Sequence, residues 1–327
     1  MDAKITKTRL SRMLSYDWIK IVAIIAAAIF GWVFLFTTTA TRITPAQQFT
    51  VMNYTGNLSL SAGKMSDFYI GELNNDKFSR EVFEVTVADM VMSPEYAPTL
   101  LQARTETKEG DVMFVSKQPD PSSAYEENGQ TLYKKTYLDT FVNGWWYKLY
   151  DLDRNSENGF FKRMEAELNL YYDGGYLHGT LNEANAEALF RARVERTGDK
   201  RYKKEEEIKV GIAHEIDRVQ KYREALIDFD KYLAEGVVAL ETTTIYANNQ
   251  VYKEGTYSIN LCPNEKMMKL NEYVGYVKTV EENGETKQKM VADDMQIALW
   301  DLGETEDCFR YEALIFVVDL IETVLAS

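Results

Sequence analysis

Between Ile21 and Thr41 the chain carries no charge over 21 residues, and Ile21 to Phe36 is apolar throughout. A helix of that length reaches about 31 Å, enough to cross a hydrocarbon core of ~30 Å. Ahead of the run lie Lys4, Lys7, Arg9, Arg12 and Lys20 against Asp2 and Asp17, and behind it only Arg42 is close. The positive-inside rule places such an N-terminus in the cytosol and everything after the span outside. The expected organisation is a cytoplasmic tail over 1–17, a single-pass anchor over 18–40 in the cell membrane, and an extracytoplasmic domain over 41–327. Trp18 and Trp32 fit interfacial positions. Thr38-Thr39-Ala40 resembles a small-residue cleavage site, but the apolar run exceeds the roughly 7–15 residues of a secretory signal. Under either processing, Thr41 to Ser327 is expected outside.

The outer part is long enough for one large two-lobed domain or two ordinary ones. A hydrophobic fraction of 45% with 13% aromatics describes a packed body rather than a disordered stalk. The whole chain carries −14; residues 1–20 contribute +3, which leaves −17 outside. That sign argues against nucleic acid and against anionic lipid, and it suits neutral or cationic ligands or a merely solvated surface. Cys262 and Cys308 both fall in the oxidising compartment of this topology. They are expected either as one disulfide, which would contribute up to ~4 kcal/mol, or as two buried thiols.

Phe49 to Tyr54 alternates as a strand does, and Glu81 to Ala88 is β-branched and alternating. Ser93-Pro94 provides a helix start, with Pro98 one turn further in, and Gly110 closes a helix predicted over 94–109. Asp111 to Val115 then reads as a strand buried on both faces. A β-α-β unit would make Val85 and Val87 parallel-sheet neighbours of Met113 and Val115. Lys117 to Gln130 reads as a loop, and helical spacing recurs over Tyr133–Tyr150, Phe160–Tyr172 and Leu181–Val194. The strongest helix is Tyr202–Glu235, whose seam Val219, Tyr222, Leu226, Phe229, Leu233 faces either the core or a coiled-coil partner. Strands follow at Thr242–Tyr246, Thr256–Leu261 and Met295–Trp300, a hairpin turn at Asn283-Gly284, and a terminal helix at Arg310–Leu325.

The unit Val82–Val87, helix 94–109, Gly110-Asp111-Val-Met-Phe-Val115 resembles the first lobe of extracellular solute-binding proteins of bacterial ABC transporters. The helix-rich middle and the terminal Glu312-Ala-Leu-Ile-Phe-Val-Val-Asp-Leu-Ile are similar to that family's plan. The resemblance implies an α/β fold of the type 2 periplasmic-binding kind, with two lobes, a hinge and a ligand cleft. It also implies a membrane-tethered binding protein for a small solute, working with ABC permease subunits. A spanning helix stands where the family carries a lipoprotein signal.

The strongest ligand signal in the residues is the aromatic group Trp145, Trp146 and Tyr150, with Asp151 and Asp153 close by and Asn143 just before. Flat rings flanked by hydrogen-bonding groups match the apolar faces and hydroxyl rims of a sugar; the same rings could equally fill space between helices. Asp151-Leu-Asp-Arg-Asn155 opens like a calcium loop, but Ser156 and Lys162 stand where that loop needs Gly and Glu. His178 and His214 are the only histidines, and neither sits in a zinc motif. No Gly-x-Ser-x-Gly nucleophile occurs. The expectation is a carbohydrate-binding module without metal or cofactor. A structural or partner-binding ectodomain is the alternative, and a glycoside hydrolase using paired carboxylates such as Asp293/Asp294 is the more distant one.

Overall fold

The computed structural model describes residues 7–39, 47–54, 64–65, 67–68, 77–78, 82–88, 96–248, 250–282, 285–302 and 311–327. The chain forms two compact units, Met1–Ile43 and Thr44–Ser327. The first is a helix, α1, Lys7–Thr39. Its window Trp18–Thr37 has a mean hydropathy of 2.5, long and apolar enough to cross a membrane.

The second unit is mixed α/β. In chain order its main elements are β1 (Gln48–Tyr54), β2 (Glu84–Ala88), α2 (Ala97–Glu106), β3 (Val112–Ser116), α3 (Tyr137–Trp145), α4 (Phe160–Leu168), α5 (Glu183–Thr197) and α6 (Glu205–Ala234). The series closes with β4 (Ala239–Ala247), β5 (Gln250–Asn260), β6 (Met295–Leu299) and α7 (Glu312–Ala326). The six strands make one sheet in the order β2-β1-β3-β6-β5-β4. β1 is parallel to both β2 and β3, and the pairs β3/β6, β6/β5 and β5/β4 are antiparallel. Among the described residues the other strand pairs are two-stranded, so the unit rests on one sheet where the resemblance implies two lobes.

The strand pattern follows from where each strand lies. β3 and β6 are buried at every residue, as strands covered on both faces are, whereas β2 sits at an edge and is largely half-exposed. Alternate residues feed two apolar layers. Phe49, Val51, Val112, Phe114, Ile297 and Leu299 face the layer containing α4, α6 and α7. Met52, Met113, Val115 and Ala298 face Leu138, Phe141 and Val142 of α3. The seam of α6 is core: Val219, Tyr222, Leu226 and Phe229 are buried and Leu233 packs against them. Glu205, Glu206 and Glu207 in its first turn complement the helix dipole, and Gly236 at φ 65° closes it.

Two expectations about the β-α-β unit need correction. β2 and β3 do run in the same direction, but β1 lies between them, pairing Phe49 with Val85 and Met52 with Met113. Val85 and Val87 are therefore not neighbours of Met113 and Val115. The run Phe49–Asn53 is the better central strand because all five residues are buried, so the more exposed β2 is left at the edge. The helix is shorter than 94–109: it begins at Ala97, with Pro98 in the first turn where its missing N–H is harmless. Ser93 and Pro94 lie outside the described residues. Lys117–Gln130 is also more ordered than a loop, since Ala124–Glu127 pairs with Gln130–Tyr133. The strands Lys278–Glu282 and Glu285–Lys289 flank the expected hairpin turn, whose Asn283 and Gly284 are outside the described residues.

Where α6 meets α5, the contact depends on a missing side chain. A Cβ on Gly211 would lie 2.1 Å from Phe190 Cζ and 2.7 Å from Tyr202 Cε1. Gly→Ala inside a helix ordinarily stabilises by up to ~1 kcal/mol. Here the buried Phe190 ring would have to move, so Gly211→Ala is expected to destabilise by about 1–3 kcal/mol. A urea unfolding midpoint equal to or above the parent's would show that the two helices separate freely.

Candidate functional site at the carboxyl edge of the parallel strands

The chain leaves β1 toward β2 on one side, while from β3 the next strand of the same direction, β5, lies on the other. Connections diverging in this way leave a crevice beyond the carboxyl ends of the strands, the usual ligand position in open α/β sheets. Here that edge is formed by Asn53 and Tyr54 of β1, Ser116 of β3 and the following Lys117–Asp120, the start of α3, and the approach to β6 at Asp293-Asp294.

Each group is held by local structure. Thr136 caps α3: its hydroxyl accepts from the Asp139 amide at 3.1 Å, and Asp139 Oδ2 accepts from the Thr136 amide at 2.9 Å. The Gln118 carbonyl accepts from the Tyr137 amide at 3.0 Å, and the Asp120 amide donates to Lys135 O at 2.9 Å. Asp120 itself accepts from the Ser122 amide and the Thr140 hydroxyl. Thus the segment after β3 is stitched to the start of α3. On the β6 side, the Lys117 amide donates to Asp294 O at 3.1 Å, and the Lys278 ammonium lies 2.9 Å from Asp293 and 3.4 Å from Asp294.

Burial is high for so polar a set. Asn53, Ser116, Gln118, Asp120, Tyr276 and Gln296 are all buried. Burial, followed by Asp120 and Tyr137, pushes the Tyr54 phenol up to about 12. Burial and Asp294 hold Tyr276 well above the ordinary phenol range, against a smaller opposing effect of Ser116. The Asp294 carboxyl is raised by burial and by Asp293, with Lys278 opposing. Around Lys278, burial opposes the charge but the bond to Asp293 and the field of Asp294 outweigh it, raising the ammonium. Gln118 Nε2, Gln296 Nε2 and Asp294 Oδ1 are buried and have no hydrogen-bond partner among the described residues. Unmatched polar atoms cost about 1–3 kcal/mol each, and natural folds rarely retain several together without a use for them.

The residues singled out in the sequence go elsewhere. Tyr150 is buried, edge-on to Phe160 at 4.9 Å and under the Arg163 guanidinium, so it is a packing ring. Trp145 packs edge-on to Trp300 at 5.8 Å, and Trp146 carries the Lys253 ammonium 4.0 Å from its ring centre and Tyr252 at 5.8 Å. Asp151 and Asp153 are turn formers, accepting from the amides of Asp153 and Asn155 at 3.0 and 2.9 Å. Among the described residues no three His, Cys, Asp or Glu side chains are placed to hold a metal ion. Cys262 is buried, with no disulfide partner among the described residues; its thiol donates to Met267 O at 3.5 Å and is pushed up to about 12 by burial and by Asp293 and Asp294. Cys308, and with it the expected disulfide, lies outside the described residues.

Missed in the sequence were Gln118, Tyr276 and Gln296, whereas Asp294 is named there only as half of the carboxylate pair Asp293/Asp294. The three are single polar residues in an apolar or loop context, and only the sheet order brings them to one edge. Comparison with known protein families, curated proteins and solved structures finds no match to this chain and identifies no solute-binding relative.

Proposed function

We propose that residues 44–327 are a binding domain for a small hydroxylated solute such as a sugar, held outside the cell membrane by α1. The ligand sits at the carboxyl edge of β1 and β3. The observation that carries this reading is the set of buried donors and acceptors without partners at a topological switch point, since a polar solute is what such groups would satisfy. Delivery to an ABC permease follows from the resemblance of residues 82–115 alone. The reading requires a crevice at the strand ends; a second lobe closing over it would be a refinement. Binding rather than turnover is proposed because the edge offers hydrogen-bonding groups and no nucleophile paired with a base.

A stability–affinity trade-off tests it. Gln118→Met keeps the size of the side chain and removes an unpartnered buried amide. The variant is expected to unfold at the same or higher urea concentration, gaining up to about 1 kcal/mol, and to lose the melting shift that a sugar panel gives the full-length parent in detergent. A variant that binds unchanged, or a parent that no solute in the panel stabilises, would reject the site.

A second reading has its own support. Tyr147, Tyr246, Val251 and Tyr252 are each at least half exposed, Tyr246 pairs with Val251 across the β4–β5 hairpin, and Trp146 touches both Tyr147 and Tyr252. An aromatic patch of that kind fits a partner-binding ectodomain. It becomes the better account if the panel gives no shift while Tyr147→Asp/Tyr252→Asp abolishes a protein association.

A further inference from the structure

A second concavity, of about 450 Å³, lies between α3 and the edge strand β4, lined among others by Lys134, Lys135, Asp139, Asn143, Thr243 and Tyr246. Two of these residues build its walls. Asn143 donates to Asp139 O at 2.7 Å and to Thr244 O at 3.3 Å, and accepts from the Tyr246 amide at 2.8 Å, so its amide seals the sheet edge to the helix. Asp139 is committed to capping α3. Glu241, the acid on the adjoining stretch of β4, is engaged by Lys117 at 2.5 Å.

The remaining polar groups have no such employment. Thr243 is 4% exposed and its hydroxyl has no hydrogen-bond partner among the described residues. Neither the Lys134 nor the Lys135 ammonium has a carboxylate within 4.0 Å among the described residues, although the chain holds 51 acidic against 37 basic residues. Lys134 instead lies 5.0 Å over the Tyr125 ring. With Lys134 and Lys135 against the single carboxylate Asp139, the pocket lining carries a net positive charge on an acidic protein, beside a buried hydroxyl and a half-exposed tyrosine ring. Water can satisfy the lysines, and the buried threonine hydroxyl is a further hydrogen-bonding group in the pocket wall for whatever occupies it.

We propose that this pocket binds a small hydroxylated anion, a sugar bearing an acid group, with the acid toward Lys134 and Lys135 and a ligand hydroxyl on Thr243. It is separate from the carboxyl-edge site, though both are anchored to the start of α3, and its volume lies within the range of small-molecule sites. A carboxylate and a phosphate are the two forms the acid can take, and both pair with lysine as a point charge.

The test is calorimetric titration of the full-length protein in detergent with glucuronate, glucose 6-phosphate and glucose. At least one acid is expected to bind roughly tenfold or more tightly than glucose, with affinity falling as salt rises. Whichever acid wins identifies the anionic group. Lys134→Met/Lys135→Met is expected to remove that preference without changing the melting temperature, because both side chains are exposed. Thr243→Val should weaken binding several-fold while leaving the fold as stable as the parent or more so. Gln118→Met should leave acid binding intact, which separates this pocket from the carboxyl-edge site. Equal binding of glucose, acid binding that survives the double methionine variant, or no heat with either acid would each overturn the proposal.

Discussion

Glu215→Ala is expected to cost about 3–5 kcal/mol of folding stability, the range for deleting one partner of a buried ion pair. Glu215 and Arg218 sit one turn apart on α6 and are 2% and 1% exposed. The carboxylate accepts from Arg218 at 2.7 and 3.3 Å, lies 2.9 Å from Arg193 of α5, and accepts from the Tyr171 hydroxyl at 2.6 Å. Burial alone would raise its pKa, but Arg218 and Arg193 outweigh burial and hold it at about 2. Removing it takes from the enclosed Arg218 the carboxylate bonded to it at 2.7 Å, while Glu167 stays at 3.7 Å. The cost therefore measures a stranded guanidinium more than the worth of the pair. A second variant checks this point: Glu215→Leu/Arg218→Met removes both charges and should recover most of the loss. Urea midpoints of the two variants against the parent decide it. If Glu215→Ala falls by less than about 1 kcal/mol, water reaches Arg218 and the network is not closed.

What could be read in the residues was whatever depends on near neighbours. The alternation of Phe49–Tyr54, the β-branched run before Ala88 and the 3-4 spacing from Val219 to Leu233 all register burial locally, and the elements they predict are present within a few residues. The order of strands was not legible. Nothing in Val85 or Met113 records that β1 will insert between them, because a strand's side chains report its faces and not its edges. Aromatic density does not by itself mark a ligand site, for a related reason. Tyr150 and Trp145 are rings that a core also needs, and the core claimed them through Phe160 and Trp300. Gln118, Tyr276 and Gln296 were invisible as a group because they are spread over nearly 180 residues of chain. Their signal, a polar side chain buried without a partner, exists only after folding. Lys134 and Thr243, more than a hundred residues apart, meet only because Asn143 ties α3 to the edge of β4.

Glu312→Gln is expected to stabilise the protein at pH 8 by up to about 3 kcal/mol and to flatten its stability between pH 4.5 and 7. Glu312 opens α7 with its side chain in the core, 2% exposed. Burial pushes its carboxyl from the ordinary 4.5 up to about 7, and the nearby Tyr222 hydroxyl and Arg218 offset only part of that rise. Below pH 4.5 the folded and unfolded chains both hold the proton, so the group leaves stability untouched. As pH rises the unfolded chain releases its proton first, and the folded state loses ground until the buried carboxyl also ionises near pH 7. A carboxyl titrating near 7 in the fold and near 4.5 in the unfolded chain loses on the order of 3 kcal/mol across that interval. Glu215 acts in a separate window: its lowered pKa gives stability that is present above about 4.5 and lost as pH falls toward 2. Urea unfolding at several pH values from 4.5 to 8 therefore isolates Glu312 from the ion network it adjoins. The parent should weaken across that interval by more than the glutamine variant does, since Asp294 and Asp230, also raised, act alike in both. A parent whose Glu312-dependent stability is flat there, or a variant less stable than the parent at pH 8, would mean that the Tyr222 hydroxyl and Arg218 keep this carboxylate ionised in the core.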